Sequence, residues 1–149
     1  MSDTSTQIHN LLFRYAECID LGDFDGVADL LADAEVGAAG GPTVTGERGL
    51  TAMFTATTRR YADGTPGTKH VTTNVILEAD DEAGTATTRS YWTVLQAVPG
   101  LPLQPILAGR YHDRFVRVHG TWRFAERRYL IDLVGDLSHH LLTALPATD

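Results

Sequence analysis

Two hydrophobic periods divide this chain. Between residues 5 and 20, Ile8, Leu11, Leu12, Tyr15 and Ile19 recur at the three- and four-residue spacing of one helix face, behind Ser5 or Thr6 as N-cap. Leu21-Gly22-Asp23-Phe24-Asp25 breaks that helix and caps a second, in which Val27, Leu30 and Leu31 form a short apolar stripe. Glu35 to Ala38 reads as a brief strand, followed by Ala39-Gly40-Gly41-Pro42, which disfavours regular structure. A third helix is expected from Glu47 to Tyr61, with Leu50, Met53, Phe54, Thr57 and Tyr61 on one face.

From Thr68 the period falls to two. Lys69 to Ala79, Thr85 to Val98, Leu103 to Val118 and Thr121 to Val134 are rich in Thr, Tyr, Trp and Val, with polar, Pro- or Gly-containing reversals between them. Four long antiparallel strands in a meander follow. Strands of this length twist and curl, and the helices are what can cover one face. The expected fold is therefore α+β: a cone-shaped, strongly bent antiparallel sheet packed on three N-terminal helices, with a cavity where the layers diverge. At 149 residues the expectation is one domain, 1–149, with a core of about 5–134. The tail 135–149 reads as a last helical turn or an arm over a neighbour.

Charge narrows the partners. The formal net charge of -7, with no basic cluster larger than a pair, argues against nucleic acid or an anionic membrane. The first residues lack a signal-peptide pattern and no apolar run has the length a bilayer demands, so the expected location is cytoplasmic. The lone Cys18 lies in a helical pattern and reads as a packed thiol. His9, His112, His119 and His139-His140 lack metal-site spacing, and no phosphate loop, dinucleotide fingerprint or nucleophile elbow occurs. Neither metal nor cofactor is expected. With Trp92 and Val94 opposite Tyr91 and Leu95, the convex face should also be apolar, which predicts a homodimer or homotrimer.

Two polar residues stand out against this pattern. Asp20 ends the first helix, where the macrodipole favours cations, so it needs a partner or a task. His70 begins the first long strand, on one face with Thr72, Asn74 and Ile76. An imidazole titrates near neutral pH, and a carboxylate on its other nitrogen fixes its tautomer and raises its basicity. Tyr15, Tyr91, Tyr111 and Tyr129 are candidate donors, and Arg127 could hold an oxygen anion. By strand alternation Arg127 lies opposite Trp122 and Phe124, and either face could be the pocket. Each residue also has a structural reading: a capping Asp, a strand His, a core Tyr.

The element order, with Tyr15-Ala-Glu-Cys-Ile-Asp20, Gly22-Asp23-Phe24-Asp25, Gly46-Glu-Arg-Gly49, His70 with Asn74, Gly109 to Phe115, and Gly120-Thr-Trp122-Arg-Phe124 with Arg127, resembles the SnoaL-like family of the nuclear transport factor 2-like superfamily. The resemblance covers roughly residues 5–132. It implies a cone whose dehydratase and dehydrochlorinase branches carry an Asp-His pair, here Asp20 and His70, and in the latter branch an arginine, here Arg127. That branch has a lysine where this chain has Tyr15, which argues against halide elimination and suits a hydroxylated or carbonyl substrate. The implied function is a cofactor-independent lyase or isomerase acting on a small hydrophobic oxygenated molecule. Its catalytic set would be Asp20, His70, Tyr15 and Arg127, and its binding set Asn74, Tyr91, Tyr111, Tyr129 and Phe54. The alternative is a non-catalytic binding or accessory subunit that uses the same cone.

Overall fold

The computed structural model describes residues 3–143 and 145. Helix α1 spans Thr4–Asp20 and buries Ile8, Leu12, Tyr15 and Ile19. Its N-cap is Asp3 rather than Ser5 or Thr6: the Asp3 carboxylate accepts from the Thr6 N–H at 2.7 Å. At the other end Gly22 is left-handed, with φ +72°. The Gly22 N–H donates to Ile19 O and the Asp23 N–H to Cys18 O, each at 2.9 Å, the paired bonds of a Schellman stop. The stop fixes where Asp20 leaves the helix.

Helix α2 (Phe24–Leu30) is capped by Asp23, whose side chain accepts from the Gly26 N–H. Strand β1 (Glu35–Ala38) and helix α3 (Glu47–Thr57) follow. Helix α3 stops four residues short of the expected end. Thr58 is extended and bridges Leu141, while Arg59 N–H donates to His140 O and Leu142 N–H to Thr57 O. The tail thus takes over the backbone groups that another helical turn would have used.

Strands β2 (Thr68–Asp80), β3 (Thr85–Val98), β4 (Leu101–Val118) and β5 (Thr121–Val134) form the expected antiparallel meander. The sheet order is β1-β5-β4-β3-β2. Strand β1 joins the edge of β5 in parallel, Glu35 opposite Glu126, so the sheet is mixed rather than wholly antiparallel. No hairpin links these two strands, and their direction is set by packing instead. Ile8, Leu12, Val27, Leu31, Leu50, Phe115 and Phe124 fill the space between helices and sheet.

Two β-bulges overturn simple alternation. In β2 the register slips between Thr73 and Ile76, with Asn74 at φ +54°. Beyond the slip Val75 and Leu77 pack on the core, while Asn74 and Ile76 are exposed. The face shared by His70 and Thr72 therefore ends before Asn74. In β5 the register slips where Arg114 pairs Glu126 and Phe115 pairs Phe124, leaving Ala125 as the extra residue. This turns Arg127 onto the buried face with Trp122 and Phe124, not opposite them. On β3 the faces are also the reverse of the expectation: Trp92 and Val94 are buried, and Tyr91 points outward.

A Cβ at Gly22 would lie 2.0 Å from Gly64 O, on a backbone conformation that side chains resist. Gly22→Ala should lower unfolding free energy by at least about 2 kcal/mol in urea denaturation, through strain and the displaced Gly64 loop.

Candidate active site

The Schellman stop delivers Asp20 to the first residues of β2. The Thr68 hydroxyl donates to Asp20 Oδ1 at 2.9 Å and the His70 backbone N–H to Oδ2 at 2.8 Å. His70 Nδ1 lies 2.7 Å from Oδ1. A carboxylate can only accept, so Nδ1 carries the proton and Nε2 is the remaining ring nitrogen. Both side chains are about nine-tenths buried. Burial pulls the Asp20 pKa upward, but the His70 hydrogen bond and charge, with Thr68, outweigh it and hold the group below its ordinary value. These donors resolve the unfavourable dipole position.

His70 lines a cavity of about 370 Å³ between the helices and the sheet. Its apolar wall includes Val36, Met53, Phe54, Val94, Leu107 and Ile131. Tyr15, Trp92, Tyr111, Arg127, Tyr129 and His140 add polar atoms. A second depression of about 440 Å³, between α1 and the start of β2 beside Phe13 and Lys69, also touches Asp20 and His70.

Away from His70 the cavity wall is built on an ion pair. Arg127 Nε and Nη2 donate to Asp113 Oδ1 and Oδ2 at 2.8 and 2.9 Å, and both side chains are essentially without exposure. The two residues sit directly opposite each other on β5 and β4. Rings enclose the guanidinium: its Cζ is 3.6 Å from the Tyr111 centroid, 4.3 Å from Tyr15 and 5.0 Å from Phe124. Burial works to lower the Arg127 pKa, but the Asp113 charge and hydrogen bonds raise it further above its ordinary value. Nη1 is buried and has no partner among the described residues. Burial raises the phenol of Tyr15 and, more strongly, that of Tyr111, so both keep their protons and can donate.

The SnoaL-like domain family matches residues 2–128. The chain belongs to the SnoaL-like family. No curated protein gives a significant match. Among solved structures, the Mycobacterium tuberculosis protein Rv3472, described as of unknown function, is 27% identical, with a TM-score of 0.70 over 86% of this chain and 71% of that one. A candidate scytalone dehydratase from Novosphingobium aromaticivorans is 24% identical, with a TM-score of 0.68 over 89% and 86% of the two chains. ActVI-ORFA of Streptomyces coelicolor is 19% identical, with a TM-score of 0.67 over 89% and 97%. The last two likenesses establish the fold that this SnoaL-like chain shares. No helix among the described residues is long and apolar enough to cross a membrane.

Of the residues expected in this SnoaL-like cavity, His70, Tyr15, Arg127, Tyr111, Tyr129 and Phe54 line it, and Asp20 stands behind His70. Asn74 and Tyr91 do not. The β2 bulge carries Asn74 to the exposed face, and Tyr91, 53% exposed, lies on the outer side of β3. Asp113 and His140 went unrecognised from sequence. Asp113 had a signal: it alternates inward between Tyr111 and Phe115, where a charge requires a buried partner. His140 had none, because a tail that reads equally as a helical turn or as an arm over a neighbour does not say where its histidine lies. Among the described residues no cluster of three or more His, Cys, Asp or Glu is arranged to hold a metal.

Asp113→Asn leaves the Arg127 charge buried beside a neutral amide. It should cost about 3–5 kcal/mol in chemical denaturation, far more than removal of the exposed partner in Arg110–Asp132.

His140 adds a pH dependence. Burial first, and the nearby His70 second, lower its pKa from 6.5 to about 4, with Asp20 opposing. The folded state keeps it neutral while the unfolded chain protonates it near 6.5, so its contribution is complete above that pH and is lost as pH falls from 6.5 to 4. Asp20 acts in a lower window: its contribution is present above 3.8 and is lost as pH falls below that. Unfolding free energy should drop by up to about 3 kcal/mol between pH 7 and 4 from His140. His140→Phe should flatten that segment of the stability curve.

Proposed function

We propose that the cavity is the active site of a cofactor-independent lyase or isomerase that takes a proton from carbon beside a carbonyl of a small, largely apolar, oxygenated molecule. The observation that carries this reading is the Asp20–His70 bond. It commits Nδ1 to the carboxylate and leaves Nε2 as the base toward a cavity that His70 lines.

The chemistry follows from the residues around the base. Nε2 accepts the proton from the substrate carbon as the C–H bond breaks, and Asp20 stabilises the imidazolium that forms. The electron pair moves onto the carbonyl oxygen, where the protonated Tyr15 and Tyr111 are the candidate donors and the Arg127 guanidinium behind them supplies positive charge. From this enolate, return of the proton at another carbon moves a double bond. Alternatively, departure of a β-hydroxyl with that proton yields water and an alkene. Both outcomes need the same base and the same oxygen stabilisation. Phe54, Tyr129 and the aliphatic wall supply a pocket suited to a flat, weakly polar skeleton. Likeness of fold to a candidate scytalone dehydratase agrees with dehydration as one outcome.

The test is solvent deuterium exchange followed by NMR on a panel of cyclic ketones and β-hydroxyketones. The wild type should speed exchange on at least one, and His70→Gln should lose about 10²–10⁴-fold of that rate while its melting temperature stays within a few degrees. Equal exchange by wild type and His70→Gln refutes the assignment of His70 as base. No acceleration across the panel makes the cavity a binding site without this chemistry.

A further inference from the structure

The tail after β5 is pinned with unusual care around one residue. Gln96, fully buried on β3, gives its Nε2–H to His139 O at 3.0 Å and to Pro66 O at 3.0 Å. The Tyr61 hydroxyl donates to the same His139 carbonyl. Arg59 N–H donates to His140 O at 2.8 Å and Leu142 N–H to Thr57 O at 2.9 Å, and Leu141 bridges Thr58. A buried glutamine spent on a tail carbonyl is costly unless the position it fixes matters.

The residue so fixed is His140. It is 5% exposed, lines the same cavity, and its ring centroid is 6.4 Å from that of His70. Its Nδ1 is buried without a partner among the described residues. Neighbouring atoms close Nδ1 off, so Nε2 is the ring nitrogen left to meet an occupant of the cavity that His140 lines. The neighbouring wall is aromatic and aliphatic, so that occupant is apolar apart from its oxygen.

We infer that His140 is a second ligand-contacting residue of the cavity, hydrogen-bonding a hydroxyl or carbonyl oxygen of a planar aromatic or enone molecule beside the position His70 serves. This rests on reading the cavity as the substrate site. His140 lies beyond the residues that match the family, 2–128, so the contact belongs to this chain's tail rather than to the shared cone. The tail is then a wall of the site and selects for ligands with an oxygen at the His70 end.

The probe is 2-naphthol, planar and phenolic, with no carbonyl for the proposed proton abstraction. Titrated into ring-¹⁵N-labelled wild type, it should move the His140 ring resonances. It should bind His140→Phe about tenfold more weakly, and His140→Gln, which keeps a hydrogen-bonding side chain, within about threefold of wild type. A structural role alone would leave affinity for the apolar Phe variant equal or better. Unmoved His140 resonances, absence of binding to wild type, or Phe-variant affinity within twofold of wild type would overturn the inference. Should His140→Phe fail to fold, the wild-type resonances decide. Naphthol binding through His140 with no deuterium exchange on any ketone would sink the proton-abstraction reading and leave this one standing.

Discussion

The pairing of Arg127 with Asp113 is the constraint around which the cone is arranged. Two charges are taken out of water at facing positions of β4 and β5, and the cost is met only because the geometry is bidentate and three rings enclose the cation. A one-residue slip of β5 would bury Glu126 or Arg128 in place of Arg127. The pair therefore fixes register as well as contributing attraction. It also dictates the bulge at Ala125, without which Arg127 would face solvent. Tyr15 and Tyr111 are held edge to face against each other and across the guanidinium, so the ion pair orients the phenols that line the cavity.

At the other end the logic is reversed. Asp20 is a carboxylate without an arginine, held ionised by two neutral donors and an imidazole. Because the backbone of His70 also binds it, the carboxylate fixes both the strand and the ring. The cavity is thus framed by a closed arginine–carboxylate pair on one side and a carboxylate–imidazole pair on the other.

Much of this was legible in the sequence, and the failures have a common cause. Helical and strand periods located every element to within a few residues, and Asp20 was conspicuous because it violates the dipole preference. Face assignments failed at Asn74, Tyr91 and Arg127. Two of these follow from bulges: one extra residue reverses alternation for everything beyond it, and only the tolerance of Asn for left-handed backbone hinted at the first. For Tyr91 the two faces of a strand rich in apolar residues could not be ranked by composition alone. Helix α3 was overextended because its terminator is the tail, far away in sequence, and the same tail hid His140.

The parallel seam between β1 and β5 bears on how the molecule assembles. Hairpins β2 to β5 join neighbouring segments and can zip with little loop closure. Partners across the β1–β5 seam, like those of α1 with β2 and of the tail with Thr58, come from distant parts of the chain. Such contacts are slow to form because their closure entropy is met before they return stability. The meander is therefore expected to be an early scaffold onto which the helical layer and then the tail dock. The Asp20–His70 bond belongs to that late docking, so a chain interrupted before it would own a sheet and a histidine but no carboxylate to fix that histidine's tautomer.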